Sequence, residues 1–97
     1  MIFRDSMLRQ HCERASALVT GCPPEQVPVL GLLDAWHFFL LTEGEGSPRA
    51  TEAQELLLSP ELRPALRQWY QSSGSNMNEN AIRFRDRLSR LAGERFG

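Results

Sequence analysis

Ninety-seven residues make room for one domain with one hydrophobic core and little beyond it. Hydrophobic residues at 41% and charged residues at 24% are the proportions of a folded globular chain and speak against disorder, while a formal net charge of −1 excludes a protein that grips polyanions with its whole surface. The charge is unevenly placed: from Pro23 to Glu61 Arg49 is the only base among seven acids, whereas from Leu62 onward seven arginines face Glu79, Asp86 and Glu94.

All eleven bases are arginine, a bias expected of a GC-rich, bacterial genome and one that also suits interfaces, because the guanidinium makes several hydrogen bonds in one plane. Arg4, Asp5 and Arg9 break up the apolar run that a secretory leader would need, so the expectation is a cytoplasmic protein in which Cys12 and Cys22 are free thiols.

Residues Ile2 to Thr20 predict a first helix. Phe3, Met7, Leu8, His11, Cys12, Ala15, Leu18 and Val19 fall in one half of the helical wheel, opposite Asp5, Arg9, Glu13 and Ser16. Gly21 then offers a left-handed stop, and Pro23-Pro24 prevents simple continuation.

The stretch from Pro28 to Leu41, PVLGLLDAWHFFLL, is the centre of the chain, with ten of its fourteen residues large and apolar, aromatic or Ala. It is too long and too aperiodic for a strand, and as a helix it spans about 21 Å, short of the ~30 Å core of a bilayer. A buried core helix is therefore expected, and no membrane span. Val29, Leu32, Leu33, Trp36, Phe39 and Leu40 share one broad face, while Leu30, Phe38 and Leu41 lie elsewhere on the circumference, so the helix needs cover on more than one side. Asp34 and His37, spaced i,i+3, are expected to form a buried or interfacial polar pair that fixes register. A carboxylate beside an imidazole can also prepare a general base, but nucleophile, oxyanion donor and pocket are not legible.

Thr42 to Gly46 reads as an acidic, glycine-containing loop. Ser47-Pro48 and Thr51 are alternative starts for a short helix ending near Leu58. Ser59-Pro60-Glu61 has the signs of the next start, a helix to about Ser72 that buries Leu62, Ala65, Leu66 and Trp69, with Pro64 tolerated early in it. After a turn at Ser72–Ser75, Asn76 and Glu79 have capping-box spacing, and a last helix is predicted over Met77 to Ala92 with Gly93 as its stop. Its apolar residues Met77, Ala81, Phe84, Leu88 and Leu91 form a heptad seam. The expected fold is all-α, a small bundle of four main helices plus one short helix in a single domain.

His11, Cys12, Cys22 and His37 lack the paired spacings of a zinc site, so no metal and no cofactor are expected. Arg83, Arg87 and Arg90 share a face that could neutralise phosphates, yet Glu79, Glu94 and Asp86 lie beside them and supply local ion pairs. A helix-turn-helix with Asn76, Asn78, Asn80 and Arg83 at base edges is weakened by Ser75, which stands where that motif buries an apolar residue. Ile82 is an apolar residue among arginines, off the seam.

The expected function is a non-enzymatic protein-interaction module, a regulator, adaptor, chaperone-like subunit or inhibitor, that binds another protein with an acidic surface and is itself a homodimer. The expected contacts are Leu30, Phe38, Leu41, Ile82, Arg83, Arg87 and Arg90. The alternative is a DNA-associated transcriptional regulator that uses the arginine-rich last helix as a nucleic-acid surface.

Overall fold

Helix α1 runs over Ser6–Ala17, and Asp5 decides where it starts. The backbone of Asp5 is extended, and its Oδ1 accepts hydrogen bonds from the N–H groups of Met7 and Leu8 at 2.9 and 3.0 Å, filling two of the donors that a helix start leaves open. The computed structural model describes residues 2–72, 86–91 and 93–94. The helix is thus shorter at both ends than the expected Ile2 to Thr20; it starts late because an acid read as part of its polar face serves as its cap. Of the expected apolar half, Leu8 and Cys12 are buried, whereas Met7 and Leu18 stand in solvent. Gly21 has the expected left-handed backbone, with φ of +76°, but it is not the stop of the helix, which ends at Ala17 with Leu18 as its cap.

A single 3-10 turn, Pro24–Gln26, leads into α2, Val27–Glu43, with Pro28 in the first turn where its missing N–H has no intrahelical partner to lose. The helix stops at Gly44, whose φ is +87° and whose N–H donates to the Leu40 carbonyl at 3.0 Å. Val29, Gly31, Leu32, Ala35, Trp36 and Phe39 are its buried residues; Leu33 and Leu40, expected with them, are half-buried at the edge of the core.

Of the two candidate starts for α3, Pro48–Leu57, the chain uses Ser47: its Oγ accepts the Ala50 N–H at 3.1 Å. Thr51 turns its hydroxyl back onto the Ser47 carbonyl instead. Ser59 does not cap the following helix as expected. Its Oγ donates to the Leu56 carbonyl at 2.7 Å, closing α3, and a 3-10 turn over Pro60–Leu62 precedes α4, Arg63–Ser72. Pro64 is thereby the second residue of α4, where no N–H is needed. Residues 86–91 and 93–94 are helical. Gly93 therefore continues the last helix instead of stopping it, since glycine permits a left-handed turn without imposing one. Of the expected turn at Ser72–Ser75, Ser72 is still the last residue of α4, and the rest, with the capping box of Asn76 and Glu79 and the heptad residues Met77, Ala81 and Phe84, lies outside the described residues.

Helices α1 and α3 flank α2, and α4 with the Pro24–Gln26 turn closes the remaining side. One apolar cluster joins them: Leu8 and Cys12 from α1, the α2 residues around Trp36, Ala50, Ala53 and Leu57 from α3, Leu62, Ala65 and Leu66 further on, and Leu88 near the C-terminus. Gly31 is what lets α1 and α2 approach. A Cβ at this position would overlap Ser16 Oγ and lie 3.0 Å from the Cys12 carbonyl oxygen. Among the described residues every regular element is helical, so the fold is all-α, and none of their helices is long and apolar enough to cross a membrane.

Candidate functional site

Helix spacing places Met7, His11, Arg14 and Leu18 on one stripe of α1, and Leu30, Asp34, Phe38 and Leu41 on one stripe of α2. The two stripes adjoin, because His11 Nε2 lies 2.7 Å from Asp34 Oδ2 and the imidazole stacks on the Phe38 ring at 4.6 Å between centroids. The Phe39 ring, which reaches inward to the core, meets the same imidazole at 5.6 Å. Further along, Ser16 lies against Gly31, so the helices run antiparallel: Met7 is at the end of the face with Leu41, and Leu18 at the end with Leu30.

The face is unusually apolar for one open to solvent. Met7 is 54% exposed, Leu18 82%, Phe38 45% and Leu41 74%, whereas Leu30 is half-buried. Between these ends the polar centre is His11 with Asp34, the His11 side chain only 17% exposed and that of Asp34 60% exposed. The expected buried pair of Asp34 with His37 is therefore corrected: Asp34 is exposed and its carboxylate is held by His11 of the neighbouring helix, while His37 is half-buried. Spacing within one helix brought Asp34 and His37 together on paper. The register between two helices decides which imidazole the carboxylate meets, and local spacing does not carry it.

One end of the face is anchored by Arg49. Its Nε donates to Asp5 Oδ1 at 3.0 Å, its Nη1 to Glu43 Oε2 at 2.6 Å and its Nη2 to Met7 Sδ at 3.3 Å, and its guanidinium lies 5.9 Å from the Phe39 ring centre. One side chain thus ties the start of α1, the end of α2 and the start of α3. The Leu8 N–H, opposed by burial and aided by Arg49, holds the Asp5 carboxyl below the usual carboxylate range. Sequence reading saw Arg49 only as an isolated base in an acidic stretch; its solitude is the signal that could have found it.

Of the expected arginine contacts, Arg87 is engaged inside the molecule. It makes a two-pronged pair with Glu45, both bonds 2.8 Å, and its guanidinium lies 5.4 Å from the Trp36 ring centre. Glu45 is held below the usual carboxylate range by that hydrogen bond and charge, and Arg87 is raised by it. Arg90 is exposed, and Ile82 and Arg83 lie outside the described residues.

Two hollows open elsewhere. One, of about 430 Å³, is apolar and lined by Phe3, Cys12, Ala17, Val27 and Pro28 among others; the second, of about 550 Å³, lies between Pro23, Gln26 and Gln68. Neither is lined by His11 or Asp34. Burial pushes the Cys12 thiol up, which keeps it protonated, a small apolar group and a poor nucleophile. Both cysteines are free, and among the described residues no three His, Cys, Asp or Glu side chains gather as metal ligands. No family model, curated protein or solved structure matches the chain.

Proposed function

We propose that this chain is a non-enzymatic protein-interaction module of the cytoplasm, a regulator or adaptor whose working surface is the two-helix face of α1 and α2. The observation that carries the reading is the exposure of Met7, Leu18, Phe38 and Leu41 along the edges of one face, around an imidazole stacked on an aromatic ring. Single exposed apolar residues are ordinary, but four at helical spacing on adjacent antiparallel helices make an apolar patch of the kind that receives a partner helix. The His11–Asp34 pair supplies the polar centre that orients such a partner, with His11 Nε2 on the carboxylate and its ring against Phe38 and Phe39.

The weight of the reading lies on this apolar face more than on the arginines. Arg87 is committed to Glu45 and Trp36, which removes it from a stripe free to meet phosphates or an acidic protein. The test compares immobilised wild-type chain with Leu41→Arg for proteins retained from a lysate of the native host. Proteins held by the wild type and lost from the variant are expected. Retention by both alike sinks the reading, and a salt-sensitive shift of duplex DNA would put nucleic-acid binding in its place.

A further inference from the structure

We infer that the occupant of the α1–α2 face is the same face of a second copy of this chain. The inference rests on the interaction reading above and deepens it by naming the partner. The groups along the face run apolar at one end (Met7, Phe38, Leu41), polar in the middle (His11, Asp34, Arg14) and apolar again at the other (Leu18, beside Leu30). A two-fold axis lying in the interface and parallel to the helices sets α1 of each copy on α2 of the other at equal height. Each apolar end then meets its own counterpart, and the polar centres coincide.

The charges fit the same operation. Arg14 is exposed on the α1 stripe one turn beyond His11, and Asp34 is exposed on α2 at the height of His11. Arg14 of each copy then lies about 4.5 Å along the axis from Asp34 of the other, within the reach of an arginine side chain. The symmetry makes this pair twice, and each Asp34 keeps the His11 bond it already has. An arrangement with both charges of one sign at the centre would have repelled its own copy.

Size sets the strength. The overlap is limited by α1, 12 residues or about 18 Å long. Two helix diameters make it roughly 20 Å wide, so each copy contributes on the order of 360 Å², about 720 Å² in total and below the ~1,000 Å² of a stable interface, which makes the dimer weak and transient, forming and dissociating with concentration.

Sedimentation velocity over a wide concentration range tests this with the full chain. The expected result is a mass rising from the 11.0 kDa of one chain toward twice that value. Leu41→Arg and Leu18→Arg, both at exposed positions where the fold tolerates a charge, are expected to raise the dissociation constant about tenfold or more. Arg14→Asp alone and Asp34→Arg alone weaken the dimer, and the double exchange restores it. Circular dichroism of each variant separates lost association from lost fold. A chain that stays at one mass at every concentration, or a dimer indifferent to both leucine substitutions, overturns the inference. If that monomer still retains a foreign protein through a Leu41-sensitive contact, the interaction reading stands without the dimer; if it retains none, both fall.

Discussion

At the scale of the residue, two side chains set what the rest can do. Asp5 caps α1 through the Met7 and Leu8 N–H groups and receives Arg49. Asp5→Ala loses all three and is expected to cost about 1–2 kcal/mol, whereas Asp5→Asn keeps the cap and loses only the charge, costing less. Because the folded carboxyl sits below the ordinary Asp value of about 3.9, its contribution is complete above that pH and is lost as the pH falls through the folded value. Urea unfolding from pH 7 down to pH 2 should therefore show an acid limb that is shallower in Asp5→Asn. Gly31 is the second. Alanine there gains helix propensity of up to about 1 kcal/mol, but the new methyl meets Ser16 Oγ and the Cys12 backbone oxygen, which cannot swing aside. Gly31→Ala is expected to destabilise by about 1–3 kcal/mol net. Adding Ser16→Ala relieves the hydroxyl overlap and should recover part of that loss but not all; full recovery would mean that the Cys12 carbonyl does not limit the approach of α1 and α2.

Among the elements, what was legible in the sequence was whatever depends on neighbours along the chain. The central helix, the left-handed Gly21, the Ser47-Pro48 start and the early position of Pro64 in its helix all follow from caps, prolines and apolar spacing, and all are present. Ser59 misled because Ser-Pro-Glu has the pattern of a cap, while its hydroxyl had a closer acceptor in the carbonyl of Leu56. Asp34 misled because its partner lies 23 residues away on another helix. The candidate face shows the same division: Leu30, Phe38 and Leu41 were legible as surplus apolar surface on α2, but Met7 and Leu18 were assigned to a core that α1 does not turn them toward, while His11, read on the core face, does lie against Phe39. Ser47 gives an element-scale prediction. It is 2% exposed, its Oγ accepts the Ala50 N–H and donates to Glu43 Oε1 at 2.6 Å, and Thr51 sits a turn too late to replace it. Ser47→Ala leaves the buried Ala50 donor open and should cost about 1–3 kcal/mol, measured by thermal unfolding. Ser47→Asp, which still accepts that N–H, repels Glu43 and should retain only part of the stability.

For the molecule as a whole, the last helix is joined to α2 by two different kinds of contact, and they are separable. Leu88 is buried at 1% exposure in the core, and one residue earlier Arg87 lies over Trp36 and grips Glu45 of the loop after α2. A buried leucine resists through transfer and cavity terms that salt leaves intact, so Leu88→Ala should cost about 2–5 kcal/mol in low and high salt alike. The Arg87–Glu45 pair is solvent-facing on the Glu45 side, where screening weakens it, while the stacking of the guanidinium on the indole persists. Glu45→Gln should therefore lower stability slightly at low salt and make no difference in 1 M salt. Arg87→Ala should lower it in both, because it also uncovers Trp36. Near-ultraviolet circular dichroism in the indole region, compared between the two variants at each salt concentration, reads this directly. If Glu45→Gln and Arg87→Ala behave alike at high salt, the ring contact contributes nothing, and among the described residues the apolar contacts of Leu88 and Leu91 hold the last helix to the core. If only Arg87→Ala changes the indole signal, the guanidinium is a packing element of the core as much as a charge. It is then unavailable to any acidic partner as long as the fold is intact.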